Sequence, residues 1–265
     1  MINPVTELRS FAAAALVQPV AREHLESAEA LVQRRWISSV TLAVGSFMLA
    51  FTLRLAPGDP FLVFAGDGHE WHARLTSTAR GNSIATVEGL ARQGAPPAVV
   101  LETWIGVIRA NRLETAIEKC VEAGADIIRL VNAAYSQRGD APSDTRGERW
   151  RRIIVEAAEQ SGRLWLPVLE PPQPLSRMVE TFHGAFVVAD QHGRGAPELA
   201  PLLPRSGHLA LVTGPEGGLA PDELELLRRK GALPMTLGPY ILRAETAAIA
   251  GTAQLRALTF SPAGG

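Results

Sequence analysis

The sequence predicts an α/β protein: a mainly parallel sheet covered by helices on both faces, preceded by a smaller β-rich domain. From residue 99 onward, apolar runs of strand length alternate with stretches whose apolar residues recur at helical spacing. Before residue 92 the runs are short and strand-like, punctuated by Pro-Gly-Asp, Gly-Asp-Gly and Arg-Gly-Asn. Two strand candidates near the C-terminus end in glycine-bearing loops, Thr213-Gly214-Pro215-Glu216-Gly217-Gly218 and Gly238-Pro239-Tyr240-Ile241-Leu242-Arg243. Two domains are expected, residues 1 to 92 and 97 to 265, joined through "ARQGAPPA", Ala91 to Ala98.

In the first domain the strands are read as "WISSVTLAV", "FLVFAG", "EWHARLTST" and "SIATVEGL". The uncharged run Trp36 to Leu53 is of marginal length for a membrane span. It contains Ser and Thr hydroxyls and a glycine, and a Pro57-Gly58-Asp59 turn follows closely. It reads as a buried strand and a short helix. The first 35 residues lack a signal-peptide pattern, because Glu7, Arg9, Arg22, Glu23 and Glu26 interrupt the apolar positions. No membrane association is expected.

In the second domain Val99 to Ile105 is a strand, and Leu113, Ala116, Ile117, Cys120 and Val121 form the buried stripe of the helix after it. "DIIRLV" is the next strand. Trp150, Ile153, Ile154, Ala157 and Ala158 line one face of the following helix, with Arg149, Arg151 and Arg152 largely off it. Further strands are "AFVVAD", "HLALVT" and "LPMTL", with helices over Asp222 to Lys230 and Glu245 to Leu258. Each strand is nearly all apolar, as both-faced burial in a parallel sheet requires.

The chain has 265 residues, is 46% hydrophobic and carries a formal charge of −1, a composition that excludes disorder. Only Lys119 and Lys230 of its 26 basic residues are lysines, and guanidinium suits bidentate phosphate contacts. The arginine bias is equally a product of genome composition. The single cysteine, Cys120, rules out an internal disulfide framework and a Cys-based zinc site, which fits a reducing, cytoplasmic setting. No metal site is expected at His69-Glu70-Trp71-His72, because its histidines are three apart and the segment reads as a strand.

Ligands of parallel sheets bind at the carboxyl ends of the strands, where the two glycine loops lie. Their backbones can approach a ligand and present amide groups to it. Neither loop is a Walker-type phosphate loop, and the glycine spacing is not that of a dinucleotide fold. Glu216 would repel a polyphosphate. A compact ligand without much negative charge fits better.

The pair "GPEGGLAPDE" and "LGPYILRAETA" resembles the C-terminal signature of the RsmE family of 16S rRNA uridine-N3 methyltransferases. "NRLETAIEKCVEAGAD" and "ERWRRIIVEAAEQSGR" are similar to that family's helices, and together the matches cover most of residues 99 to 258. "LRLAPGD" and "GDGHEWHARL" are weakly similar to its N-terminal PUA-like barrel. The resemblance implies a SPOUT-type sheet with a C-terminal trefoil knot, S-adenosyl-L-methionine (SAM) held in the glycine loops, and a homodimer through the C-terminal domain. It implies 16S rRNA, or the small ribosomal subunit, as partner. The alternative is a non-catalytic or retargeted RNA-binding paralogue that keeps the cofactor.

On that resemblance the cofactor-binding candidates are Leu211, Thr213, Gly214, Pro215, Glu216, Gly217 and Gly218 in the first loop region. Leu237, Gly238, Ile241, Leu242, Arg243 and Thr246 are those of the second. Leu211, Leu237, Ile241 and Leu242 would form an apolar cradle for the reacting sulfonium. Arg243 and Glu245 are the catalytic candidates. Arg243 either orients substrate or pairs with Glu245 or Glu216. Glu245 equally favours the helix N-terminus through the dipole, and Thr246 bonds the ligand or only the helix backbone. Glu216 is placed to hold its loop through backbone amides in preference to accepting a proton. Arg54, Arg112, Ser136 and Tyr240 are the RNA-binding candidates.

The chain also departs from the family pattern. Tyr240 stands for an arginine and Ala244 for a threonine. Ala134-Tyr135 replaces a Glu-Arg pair, and Phe47 and Met48 replace histidines.

Overall fold

The computed structural model describes residues 39–42, 55–64, 66–79, 82–137 and 144–260. Arg54, Phe47, Met48 and most of the run Trp36 to Leu53 lie outside them. No helix among the described residues is long and apolar enough to cross a membrane. The chain divides into two compact units, Met1–Pro96 with Val155–Leu166, and Pro97–Ile154 with Pro167–Gly265.

Among the described residues the first unit holds four strands, β1 (Ser39–Leu42), β2 (Pro60–Phe64), β3 (His69–Ala79) and β4 (Asn82–Gln93). They form an antiparallel sheet in the order β1-β4-β3-β2. Alternation does the sorting: Phe61, Val63, Ala73, Leu75 and Ala85 are buried with Leu55, while Arg74 faces solvent and pairs with Glu88 at 2.6 Å. β4 runs through Ala91–Gln93, so the connection is shorter than expected. Gly94 already has a structural duty, since its carbonyl accepts from the Trp165 indole at 3.2 Å. His69 and His72 lie on β3, and His69 is held by Asp67 at 3.3 Å. Among the described residues no group of His, Cys, Asp and Glu is arranged to hold a metal.

The second unit holds a six-stranded sheet, every pairing of which is parallel. Its strands are β5 (Val99–Gly106), β6 (Ile127–Asn132), β7 (Val168–Pro174), β8 (Ala185–Arg194), β9 (Gly207–Thr213) and β10 (Leu233–Met235), in the order β10-β8-β9-β5-β6-β7. The helices of this unit are α1 (Ala110–Ala123), α3 (Leu175–Thr181), α4 (Ala196–Leu199), α5 (Pro221–Arg229) and α6 (Ala244–Thr259); α2 (Asp144–Ser161) begins in it and ends in the other.

β7 and α3 are not apparent from the sequence. β7 carries Pro171, Pro172 and Pro174, which argue against a strand unless it lies at an edge, and β7 is the edge. β10, with Pro234, is the opposite edge.

Both faces of the sheet are covered. On one, Trp104, Val131, Phe186 and Val212 pack with Met178 and Val179 of α3 and Leu227 of α5. On the other, Val99, Leu101, Leu209 and Leu211 pack with Leu255 of α6. Central β5 and β9 are therefore apolar on both sides, which is why alternation is absent from their sequences.

The exceptions are polar groups that partner each other. Thr103 of β5 and Thr252 of α6 meet at 2.8 Å, and Thr252 also donates to the Ala248 carbonyl at 2.7 Å. Arg256 of α6 donates to the Gly124 carbonyl at 2.9 Å and pairs with Asp126, whose Oδ2 in turn accepts from the Leu101 amide at 2.9 Å. The C-terminal helix is thereby fixed to the start of β5 and to the end of α1.

Candidate active site

A cavity of about 590 Å³ opens at the carboxyl end of β9, beside the middle of β8 and against the segment after β10. Such a volume suits a drug-sized or nucleoside-sized ligand. β9 delivers its side with an abrupt turn: the Thr213 hydroxyl donates to the Trp104 carbonyl at 3.2 Å, and the Gly218 amide closes back on the Pro215 carbonyl at 2.8 Å. The loop can lie so close to β5 because position 106 is glycine. A Cβ there would come within 2.5 Å of the Pro215 nitrogen.

α5 starts straight from this loop with Pro221 in its first turn. Glu223 accepts from the Ala220 amide at 2.8 Å and, with its other oxygen, from the Ala134 amide at 2.9 Å. One carboxylate thus ends the first loop and tethers the loop after β6.

The second loop begins where Thr236 and Gly238 close a small turn, the Thr236 hydroxyl donating to the Gly238 carbonyl at 3.1 Å. Gly238 has φ of 137°, a conformation suited to glycine. Arg243 is the N-cap residue of α6, whose first-turn Glu245 is favoured there by the helix dipole.

Most of the expected residues converge. Thr213, Gly214, Pro215, Glu216 and Gly218 line the cavity from one side, and Leu237, Gly238, Tyr240, Ile241, Leu242 and Arg243 from the other. Arg112, expected at RNA, lines it too. Its guanidinium lies 3.5 Å from Glu216 and 3.9 Å from Glu245, so it bridges carboxylates of both loops. The pairing foreseen for Arg243 belongs to Arg112 in the structure. Arg243 is exposed and, among the described residues, has no carboxylate partner. The second Glu245 oxygen is buried without a hydrogen-bond partner.

Other expectations are placed elsewhere. Leu211 is fully buried in the core beneath α6 and does not line the cavity. Gly217 is exposed and turned away from the cavity lining, and a Cβ on it would lie 2.9 Å from the Tyr135 Cβ. Thr246 is exposed and outside the lining. The Ser136 hydroxyl serves its own loop, accepting from the Ala133 amide at 2.9 Å and donating to the Val131 carbonyl at 3.1 Å.

The structure adds residues that the sequence reading leaves out: Ala189, Asp190 and Gln191 in the middle of β8, with Leu219, Leu224, Thr236, Ala244 and Ala247. The strand read from the sequence stops at Asp190, so the strand-end rule applied to it would have pointed there.

The lining is chemically mixed. Leu237, Ile241 and Leu242 are apolar, Asp190 and Glu216 are acidic, and the loop backbones supply amides. A ligand with an apolar middle, hydroxyl or amine groups and positive charge fits; a polyphosphate does not.

A parallel sheet with a cavity of this kind at its strand ends defines a nucleoside-binding α/β enzyme class, and residues 96–256 match the model of the RNA methyltransferase domain family. The chain is 35% identical over 83% of its length, and 74% of the relative's, to ribosomal RNA small subunit methyltransferase E of Synechocystis. It is 33% identical to the Mycobacterium bovis protein of that name, covering 80% of this chain and 84% of that one. The Neisseria gonorrhoeae protein of the same name, solved bound to S-adenosyl methionine, superposes with a TM-score of 0.72 at 25% identity, covering 84% of this chain and 92% of that one. The chain belongs to the ribosomal RNA small subunit methyltransferase E family.

Proposed function

We propose that the protein transfers a methyl group from SAM to N3 of a uridine in the RNA of the small ribosomal subunit. The observation that carries this reading is the single cavity wall built from both glycine loops, matching in its chemistry what the family's cofactor requires. The relatives favour it over a non-catalytic paralogue.

The residues present fit SAM. Leu237, Ile241 and Leu242 would hold its apolar parts, the backbone at Gly214 its polar ones, and Asp190 and Glu216 favour a cation nearby. Bound SAM supplies an electrophilic methyl on a sulfonium. The chain's part is alignment of a uridine turned out of its stack, with N3 facing that methyl. Arg243, exposed at the rim and without a carboxylate partner among the described residues, orients the uridine or its phosphate. Arg112 keeps Glu216 and Glu245 in place. Glu245 lies outside the cavity lining and its unpartnered oxygen is buried, so its part is to hold Arg112, and the N3 proton passes to solvent.

Further parts of the reading follow the family. Residues 1 to 92 form a PUA-like RNA-binding domain, with Arg54 and Tyr240 among the RNA contacts, and 97 to 265 the SPOUT domain. The segment from β10 through α6 threads a trefoil knot. The protein works in the cytoplasm as a homodimer through its C-terminal domain, a reading supported by the exposure of Tyr240 and Ile241, at 79% and 84%.

Calorimetric titration of the purified protein with S-adenosylhomocysteine tests the cofactor. Saturable one-site binding is expected, and no heat together with no change in thermal midpoint would remove the proposal.

A further inference from the structure

A second cleft, of about 330 Å³, lies within the methyltransferase unit and shares no lining residue with the first. Glu102 of β5 forms its floor, with a side chain only 1% exposed. Both carboxylate oxygens are engaged. Oε2 accepts from the Arg129 Nε at 2.6 Å and from the Trp104 indole at 2.9 Å. Oε1 lies 2.7 Å from the His208 Nδ1. A carboxylate only accepts, so the His208 proton sits on Nδ1 and leaves Nε2 for the cleft. Arg129 likewise spends its Nε, and among the described residues its terminal nitrogens have no protein acceptor.

The buried carboxylate thus orients one donor, the Arg129 guanidinium, and one acceptor, the His208 Nε2, as an outer-shell acid orients a ligating histidine. Gln173 and His183 add polar groups around them, and Phe182 supplies an aromatic wall, its ring centroid 6.3 Å from that of His208. A metal ion is a poor occupant, because both Glu102 oxygens are already bonded.

The geometry points to a nucleotide-phosphate site in this cleft, in which Arg129 holds the phosphate, the His208 Nε2 accepts from a ribose hydroxyl, Glu102 sets both, and the base lies against Phe182. The terminal guanidinium nitrogens match two phosphate oxygens. One carboxylate stands against one guanidinium and two imidazoles in the lining, so an added anion meets no excess of negative charge. The volume is that of a small-ligand site. The phosphate belongs either to a free mononucleotide or to one nucleotide of an RNA strand. The site rests on its own residues and not on the cofactor reading.

Proton–nitrogen NMR on the full chain saturated with S-adenosylhomocysteine tests it, with the Trp104 indole signal, identified by its loss in Trp104→Phe, as reporter. Uridine monophosphate should shift that signal saturably, and uridine should not. A short single-stranded oligoribonucleotide giving the same shift at lower concentration identifies RNA as the source; a response to the mononucleotide alone identifies a free nucleotide. His183→Glu puts a carboxylate on an exposed cleft wall and should weaken binding roughly tenfold or more. An indole signal unmoved by mononucleotide and oligonucleotide up to ~10 mM, an equal response to uridine, or undiminished binding in His183→Glu would overturn the assignment.

Discussion

Arg112, at the start of α1, lies 3.5 Å from Glu216 in the loop after β9. The same guanidinium reaches Glu245 of α6 at 3.9 Å, so one cation joins three segments far apart in sequence. Removing it leaves two carboxylates beside the cofactor cavity. Arg112→Ala should favour the cationic cofactor over its neutral product, raising the ratio of SAM to S-adenosylhomocysteine affinity a few-fold. RNA affinity and methyl transfer should fall. Both partners of the Arg112–Glu216 pair are about 30% exposed, so screening limits the stability loss to ~1 kcal/mol and the thermal midpoint should move only ~2–4 °C. Calorimetry with both cofactor forms checks the ratio, and an unchanged ratio contradicts this role.

Gly217 faces Tyr135 and not the cavity. Gly217→Ala should weaken cofactor binding only indirectly, by pushing its loop from the Tyr135 Cβ that it would meet at 2.9 Å. Tyr135→Gly removes that atom. The double variant should bind S-adenosylhomocysteine better than Gly217→Ala alone, as a double-mutant cycle measures. No recovery would mean that the loop is constrained by the ligand itself.

Tyr240 is exposed on the cavity rim. Tyr240→Arg should steepen the dependence of RNA binding on salt by roughly one counterion, a slope change of about 0.7 for a single strand. Cofactor affinity should stay within twofold. Filter binding across a salt series reads the slope, and an unchanged slope places no phosphate at this position.

Burial pushes the Cys120 thiol up from 9.0 to about 12, and the neighbouring Thr252 hydroxyl opposes the shift. The folded protein therefore keeps the proton after the unfolded chain has released it. The stability held below pH 9 is lost as pH rises toward 12, and Cys120→Ala should show a shallower decline in that window. Native protein should resist thiol reagents at pH 8 and react only when unfolded. Rapid labelling of the native state would contradict this placement.

The alternation of strands and helices, the covered parallel sheet and both loops were legible because apolar runs and glycine punctuation are local signals. β7 was not, because its three prolines look like loop chemistry until the strand is known to lie at an edge. The partner of Glu216 and Glu245 was not, because Arg112 comes to them from over a hundred positions earlier in the chain. Leu211 and Gly217 occur in the loop region at cofactor-like spacing, yet the Leu211 side chain is buried in the core and the backbone of Gly217 lies close to Tyr135. Glu102 offered no signal, since its partners Arg129 and His208 belong to the two neighbouring strands.

The most direct test of the proposed activity is transfer of labelled methyl from SAM to small ribosomal subunits purified from a strain that lacks the family's enzyme. The account predicts incorporation approaching one methyl per subunit, recovered on digestion as N3-methyluridine and abolished when subunits already carrying that mark are used. No incorporation by protein that still binds S-adenosylhomocysteine, or methyl recovered on any other atom, would contradict it.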